Sequence, residues 1–123
     1  MAAPSKDDRP IMAALPHALA GRCPACGNAP LFRKYLKPVE RCGACAQDWT
    51  HQQADDLPAY LVIFIVGHLL VPFIITVNAG LDLSLVTQMI LWPTAALLMS
   101  LAMLQPIKGA VIAWQWSRRM HGF

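Results

Sequence analysis

Between Arg41 and Lys108 the sequence has no lysine and no arginine, and across residues 57–107 its only acid is Asp82. A soluble helical pair needs charge on its outward faces, so this absence excludes an ordinary globular domain over that stretch. Cysteine is scarce as well: there are four, all held in two C-x-x-C pairs, which leaves none for a separate disulfide framework. Glycine-rich phosphate loops, nucleophile elbows and zinc-protease motifs are missing. The enzyme classes that those motifs mark are therefore excluded, and we expect neither catalysis nor a small-molecule substrate. No long apolar run occupies residues 1–21, where Pro4, Pro10 and Pro16 together with Asp7 and Asp8 interrupt the chain. That pattern excludes a secretory signal and predicts a flexible N-terminal tail, with residues 11–20 able to dock on the module that follows or on a lipid surface.

What is present is apolar. Over 123 residues, 56% are hydrophobic and 14% charged. Residues 59–77 read AYLVIFIVGHLLVPFIITV and cover about 28 Å as a helix, close to the thickness of a hydrocarbon core. Asp55 or Asp56 can cap its start, Pro58 sits where a first turn tolerates proline, and Asn78-Ala79-Gly80 closes it. A second apolar run follows over residues 83–104, giving a transmembrane α-helical hairpin over 57–107. Arg22, Arg33, Lys34, Lys37 and Arg41 precede the hairpin, Lys108, Arg118 and Arg119 follow it, and the loop between has no basic residue. The positive-inside rule then puts both ends in the cytoplasm. Residues 108–123, with Trp114 and Trp116 beside two arginines, read as an interfacial helix bent away at Pro106 and Gly109. A rival register runs the second span over residues 92–114 with Lys108 snorkelling; the first register leaves Lys108 at the boundary.

Ahead of the hairpin, residues 22–56 carry C-x2-C-x15-C-x2-C: Cys23, Cys26, Cys42 and Cys45. That spacing is a four-thiolate metal site, filled by tetrahedral Zn2+ at about 2.3 Å per bond, and it predicts a small zinc-ribbon-like β module. A reducing cytoplasm keeps such thiolates free for metal. Gly27 follows the first knuckle where a left-handed backbone is expected, whereas Ala46 holds that place in the second at a strain of about 1 kcal/mol. Zinc as a substitute for a core is the simplest role; iron in the same cage would make a one-electron site. The basic surface of Arg33, Lys34, Lys37 and Arg41 suits anionic lipid headgroups, and nucleic acid is disfavoured because Asp48, Asp55 and Asp56 flank the module.

His68 lies about 16 Å into the first span, next to Gly67 and four residues before Pro72. In an antiparallel hairpin it reaches the depth of Thr94, whose hydroxyl is a candidate hydrogen-bond partner. The polar pair then either locks the helices together or offers a contact to a partner's metal or redox centre. His51, Asp55 and Asp56 form a second candidate cluster at the boundary. It is suited to acid–base work or a second metal, or more simply to capping.

The segments RCPACG, LFRKYLK, ADDLPAYLVIFIVGH and LQPIKGAVIAWQW resemble the bacterial domain-of-unknown-function family 983 over residues 22–116. The matching positions are Cys23, Cys26, Cys42, Cys45, Asp55, Asp56, Pro58, Ala59, Gly67, His68, Pro106, Lys108 and Gly109; Ala46 departs from the family's usual glycine. The resemblance implies two spans and a paired-cysteine knuckle. It also implies a neighbourhood among assembly factors of haem–copper terminal oxidases, and it carries no catalytic residue. The expected function is therefore that of a non-enzymatic accessory protein with a membrane-protein partner or a second copy of itself. A metal or redox handler and a membrane-tethered nucleic-acid or lipid module are the alternatives.

Overall fold

The computed structural model describes residues 9–54 and 56–123. Three α-helices follow in chain order, α1 (Ile11–Leu19), α2 (Leu57–Gly80) and α3 (Leu85–Ser117), and a short 3-10 turn closes the chain at Met120–Gly122. Both α2 and α3 are long and apolar enough to cross a membrane, and most of the hydrophobic side chains along them are bare.

The hairpin turn is built by polar side chains. Ser84 caps α3 by accepting the Thr87 amide at 3.2 Å, and Asn78 donates to the Gln88 side chain at 3.0 Å. At the opposite end Asp56 occupies the cap position of α2 without a side-chain cap bond, so Pro58 in the first turn marks the start instead. Asp55, the other expected cap, lies outside the described residues.

Helix α3 departs from the expected bend. Its 33 residues run unbroken through Pro106 and Gly109, making about 50 Å at about 1.5 Å per residue. A hydrocarbon core takes up only about 30 Å of that length. The surplus turns are not an interfacial helix. Gly109, Ile112, Ala113 and Trp116 recur at i, i+3, i+4 and i+7 and bury against the N-terminal module. Trp116 belongs to this core and only Trp114 is exposed.

Part of the predicted flexible tail is also ordered. Helix α1 buries Ala14 and Ala18 and packs on α3. The contact is close because a Cβ at Gly109 would stand 2.6 Å from the Ala18 carbonyl oxygen. Pro16 is tolerated because the amide it lacks would have bonded the carbonyl of Met12, a residue 80% exposed to solvent. Arg9 adds a second tie, donating to the Trp116 carbonyl at 3.2 Å with its guanidinium over the Trp116 ring. Residues 1–8 lie outside the described residues.

The expected β module takes a different form. Among the described residues no strand is present, only isolated antiparallel bridges, Arg22 to Pro30, Phe32 to Pro38 and Arg41 to Asp48. Pro30 and Pro38 have no amide to donate, which stops two of those bridges from growing into ladders. Leu31, Trp49, Ile112 and Trp116 fill the core, with Trp49 packed against Trp116 and edge-on to Phe123.

Candidate metal centre

The two knuckles fold alike because their backbones close the same ring. Gly27 donates to the Cys23 carbonyl at 2.7 Å, and Ala46 donates to the Cys42 carbonyl at 3.0 Å. Each donor has a left-handed backbone, with φ of 69° at Gly27 and 62° at Ala46. The second knuckle therefore holds an alanine in a conformation that its Cβ disfavours. Gly27 has a further constraint, since a Cβ there would meet the His17 ring at 2.9 Å.

The folding of the knuckles brings the four sulfurs within 4.8 Å of one another. Across the pair, Cys23 to Cys45 and Cys26 to Cys42 are each 3.7 Å apart. A tetrahedron with bonds of about 2.3 Å has edges of about 3.8 Å, so these two separations fit a tetrahedral four-thiolate centre. All four cysteines are unbridged. Amides support the sulfurs: Asn28 donates to Cys26, and both Ala44 and Cys45 donate to Cys42, each at 3.4 Å. A metal held here would supply the cross-link that a module this small lacks. The donor set fits zinc or iron, and it does not select between them.

The thiols differ in acidity. At Cys42 burial opposes ionisation, but the Cys45 and Ala44 amides outweigh it and bring the group down to about 6. Burial pushes the Cys23 thiol up, and burial likewise raises Cys45. Cys42 is thus the thiolate ready at neutral pH, and Cys23 and Cys45 surrender protons when metal enters.

The remaining candidate residues are dispersed. His68 Nδ1 donates to the Phe64 carbonyl at 2.8 Å, and its ring stacks on Phe64. Thr94 donates to the Ile90 carbonyl at 2.6 Å. Each is satisfied within its own helix, and no hydrogen bond joins them among the described residues. The His68 ring instead borders a groove formed by Ile63, Phe64, Gly67, Val71 and Pro72, all on α2. Among the described residues His51 is partnered by Asp48, and Asp55 of the expected cluster lies outside them. The His51 ring lies 3.7 Å from the Asp48 carboxylate and edge-on to Phe123. The Thr50 hydroxyl and amide hold that carboxylate below its ordinary range. Asp56 is exposed, as are Arg33, Lys34, Lys37 and Arg41.

Some structural ties were missed from the sequence. Gln115 is buried and pairs both ways with the backbone of Gln53, accepting its amide at 2.9 Å and donating to its carbonyl at 2.8 Å. A glutamine between two tryptophans, on the apolar face of a helix, was the available signal. Lys108 donates to the Leu36 carbonyl at 2.7 Å, and the Tyr35 hydroxyl donates to the Leu101 carbonyl.

A family described as "Protein of unknown function (DUF983)" matches residues 32–116. The chain belongs to this family. The DUF983 match takes in the second knuckle, both long helices and the buried end of α3, and it begins after Cys23 and Cys26. No curated protein and no solved structure matches the chain.

Proposed function

We propose that this chain is a non-enzymatic accessory protein of the bacterial inner membrane, with a structural zinc module in the cytoplasm and a hairpin that engages a membrane-protein partner. The observation that carries the reading is the shared helix. The last turns of α3 are the core of the cysteine module, and its earlier turns form half of the hairpin. A docking event at the module is thereby mechanically joined to the membrane. Basic residues on both sides of the hairpin and none in its loop support a cytoplasmic placement of both ends. Bare apolar side chains such as Ile63, Phe64, Leu97 and Leu98 leave room for a partner helix or a second copy.

The family resemblance suggests a haem–copper terminal oxidase during its assembly as that partner. Deleting the gene should lower assembled oxidase while leaving the oxidase transcripts unchanged; normal oxidase levels in the deletion strain would remove this reading. A second reading, metal or electron handling, draws on the exposure of Cys45 and the partial exposure of Cys26. Elemental analysis with absorption spectra before and after dithionite separates the two. One firmly held, colourless zinc per chain supports the structural role, whereas reducible iron or an exchangeable, partly loaded metal supports the second.

A further inference from the structure

We propose that the turn at residues 33–37 is a headgroup site for anionic phospholipid, set at the level where α3 leaves the bilayer. The inference rests on the reading that the hairpin spans a membrane, and it names one class of partner for that surface.

Depth is the first argument. From Leu85, a core of about 30 Å consumes about twenty residues and ends near Leu104. Burial changes in the same place: Leu97, Leu98 and Leu101 are exposed, and Gly109 onward is packed in the module. The turn is tied to α3 on either side of that level, by Tyr35 to the Leu101 carbonyl and by Lys108 to the Leu36 carbonyl. Its own backbone is closed by Arg33 donating to the Lys37 carbonyl at 2.9 Å. An exposed Tyr35 at this depth also matches the aromatic preference of membrane interfaces.

Charge is the second argument. Arg33, Lys34 and Lys37 are all exposed on this fixed turn. Arg33, Lys37 and Lys108 also line a recess of about 350 Å3, where Glu40 is the one acid. Cations therefore exceed anions, which favours a headgroup of net negative charge over a zwitterionic one. Leu97 and Leu101, one turn apart on α3, are exposed on the membrane side of the recess and give acyl chains an apolar wall. That wall favours a lipid over a free phosphate ester. Arg41 stands apart from the turn, beside Asp48, whose carboxylate it helps to hold ionised.

The test uses the full chain reconstituted in phosphatidylcholine vesicles, with trace spin-labelled phosphatidylglycerol or spin-labelled phosphatidylcholine. The motionally restricted fraction of each label gives relative affinity. We expect phosphatidylglycerol to be preferred by at least about fivefold, the effect of a single cation near the surface. The preference should shrink in 0.5 M salt, on the order of the screening expected when the Debye length falls below about 5 Å. The combined Arg33→Gln, Lys34→Gln and Lys37→Gln variant should lose the preference; the Arg33→Lys, Lys34→Arg, Lys37→Arg exchange and the Arg41→Gln control should keep it. Equal metal content across the variants shows that each is folded. Equal affinity for the two lipids, or a preference unchanged in the glutamine variant, would overturn the proposal. Displacement of the label by glycerol phosphate or by a short oligonucleotide would reassign the surface to a free phosphate ester or to nucleic acid. Resistance to alkaline carbonate extraction reports on the spanning hairpin separately, so failure of the lipid site and failure of the spanning reading are distinguishable.

Discussion

The two ends of α3 have similar compositions and opposite environments. Near its start Leu85, Val86, Met89 and Ile90 are bare, and near its finish Val111, Ile112, Ala113 and Trp116 are buried. Apolar content alone therefore does not say whether a helix faces lipid or a protein core. Periodicity and polar partners do. The final turns repeat small and large apolar residues at helical spacing and carry Gln115, whose amide has a protein partner. The upper turns have no such stripe, since lipid accepts apolar side chains on every face.

Metal removal should divide the two regions most sharply. Structural zinc in small modules contributes about 10–16 kcal/mol of apparent binding free energy, so chelation, or Cys23→Ser with Cys42→Ser, should unfold the module. The hairpin should remain helical in detergent, because its backbone bonds are internal to α2 and α3. Limited proteolysis of residues 20–54, followed beside far-ultraviolet circular dichroism, checks both halves. Loss of all helicity together with the metal would show that α3 is one cooperative unit and would break the comparison.

Acidity sharpens the same boundary. Metal binding requires thiolates, and Cys23 and Cys45, both raised by burial, must each release a proton. Affinity should therefore rise steeply with pH above about 6, by at least about a hundredfold per pH unit from these two protons, and fall further once Cys42 is protonated below that. Without metal the linkage differs by residue. The depressed Cys42 stabilises the fold above its ordinary value, and that stability is lost as pH falls through about 6. The raised Cys23 and Cys45 contribute at low pH, and their contribution is lost as pH rises through their folded values. Competition with a chromophoric zinc chelator across pH 5.5–8 reads the first effect, at least about a hundredfold per unit. A flat profile would mean that the thiolates are already formed before metal arrives.

Packing at Gly109 comes next. Gly109→Leu places a side chain where the Ala18 carbonyl stands and should detach α1, at about 2–4 kcal/mol of module stability. At Gly67, in α2, an added Cβ has nothing outside its own helix turn within 4 Å, and Gly67→Leu should leave the module's stability unchanged. Denaturant titration of Trp49 fluorescence compares them. Gln115→Leu should follow at about 1–3 kcal/mol, because it removes two hydrogen bonds to the Gln53 backbone, each contributing about 0.5–1.5 kcal/mol.

The two spans, the four-cysteine cage and the left-handed Ala46 were legible in the sequence because each follows from local spacing. The unbroken passage of α3 through Pro106 was not. Proline discourages a helix by removing one amide, and that local penalty is outweighed by burying Ile112, Ala113 and Trp116. Helix α1 was obscured in the same way by Pro10 and Pro16, since its support comes from Gly109 and Trp116, about a hundred residues along the chain. The pairing of His68 with Thr94 failed for a different reason. Counting along the two runs sets them at comparable depth, but depth does not fix rotation about a helix axis, and each side chain bonds the carbonyl of the preceding turn in its own helix.

The smallest expected effect tests the most local inference. Ala46 and Gly27 take matching places in their knuckles, with nearly equal φ, but only Ala46 carries a Cβ. A left-handed alanine costs about 1–2 kcal/mol relative to its preferred backbone. Glycine loses about 0.4–1 kcal/mol more through the freedom of the unfolded chain. Ala46→Gly should therefore stabilise the metal-free module by about 0.5–1 kcal/mol, the difference between those terms. The reciprocal Gly27→Ala should destabilise by more than the backbone strain alone, because its methyl also meets His17 at 2.9 Å. Comparing the denaturation midpoints of the two variants isolates the backbone term from the steric one. A destabilising Ala46→Gly would mean that the alanine methyl makes a contact worth more than the strain it imposes.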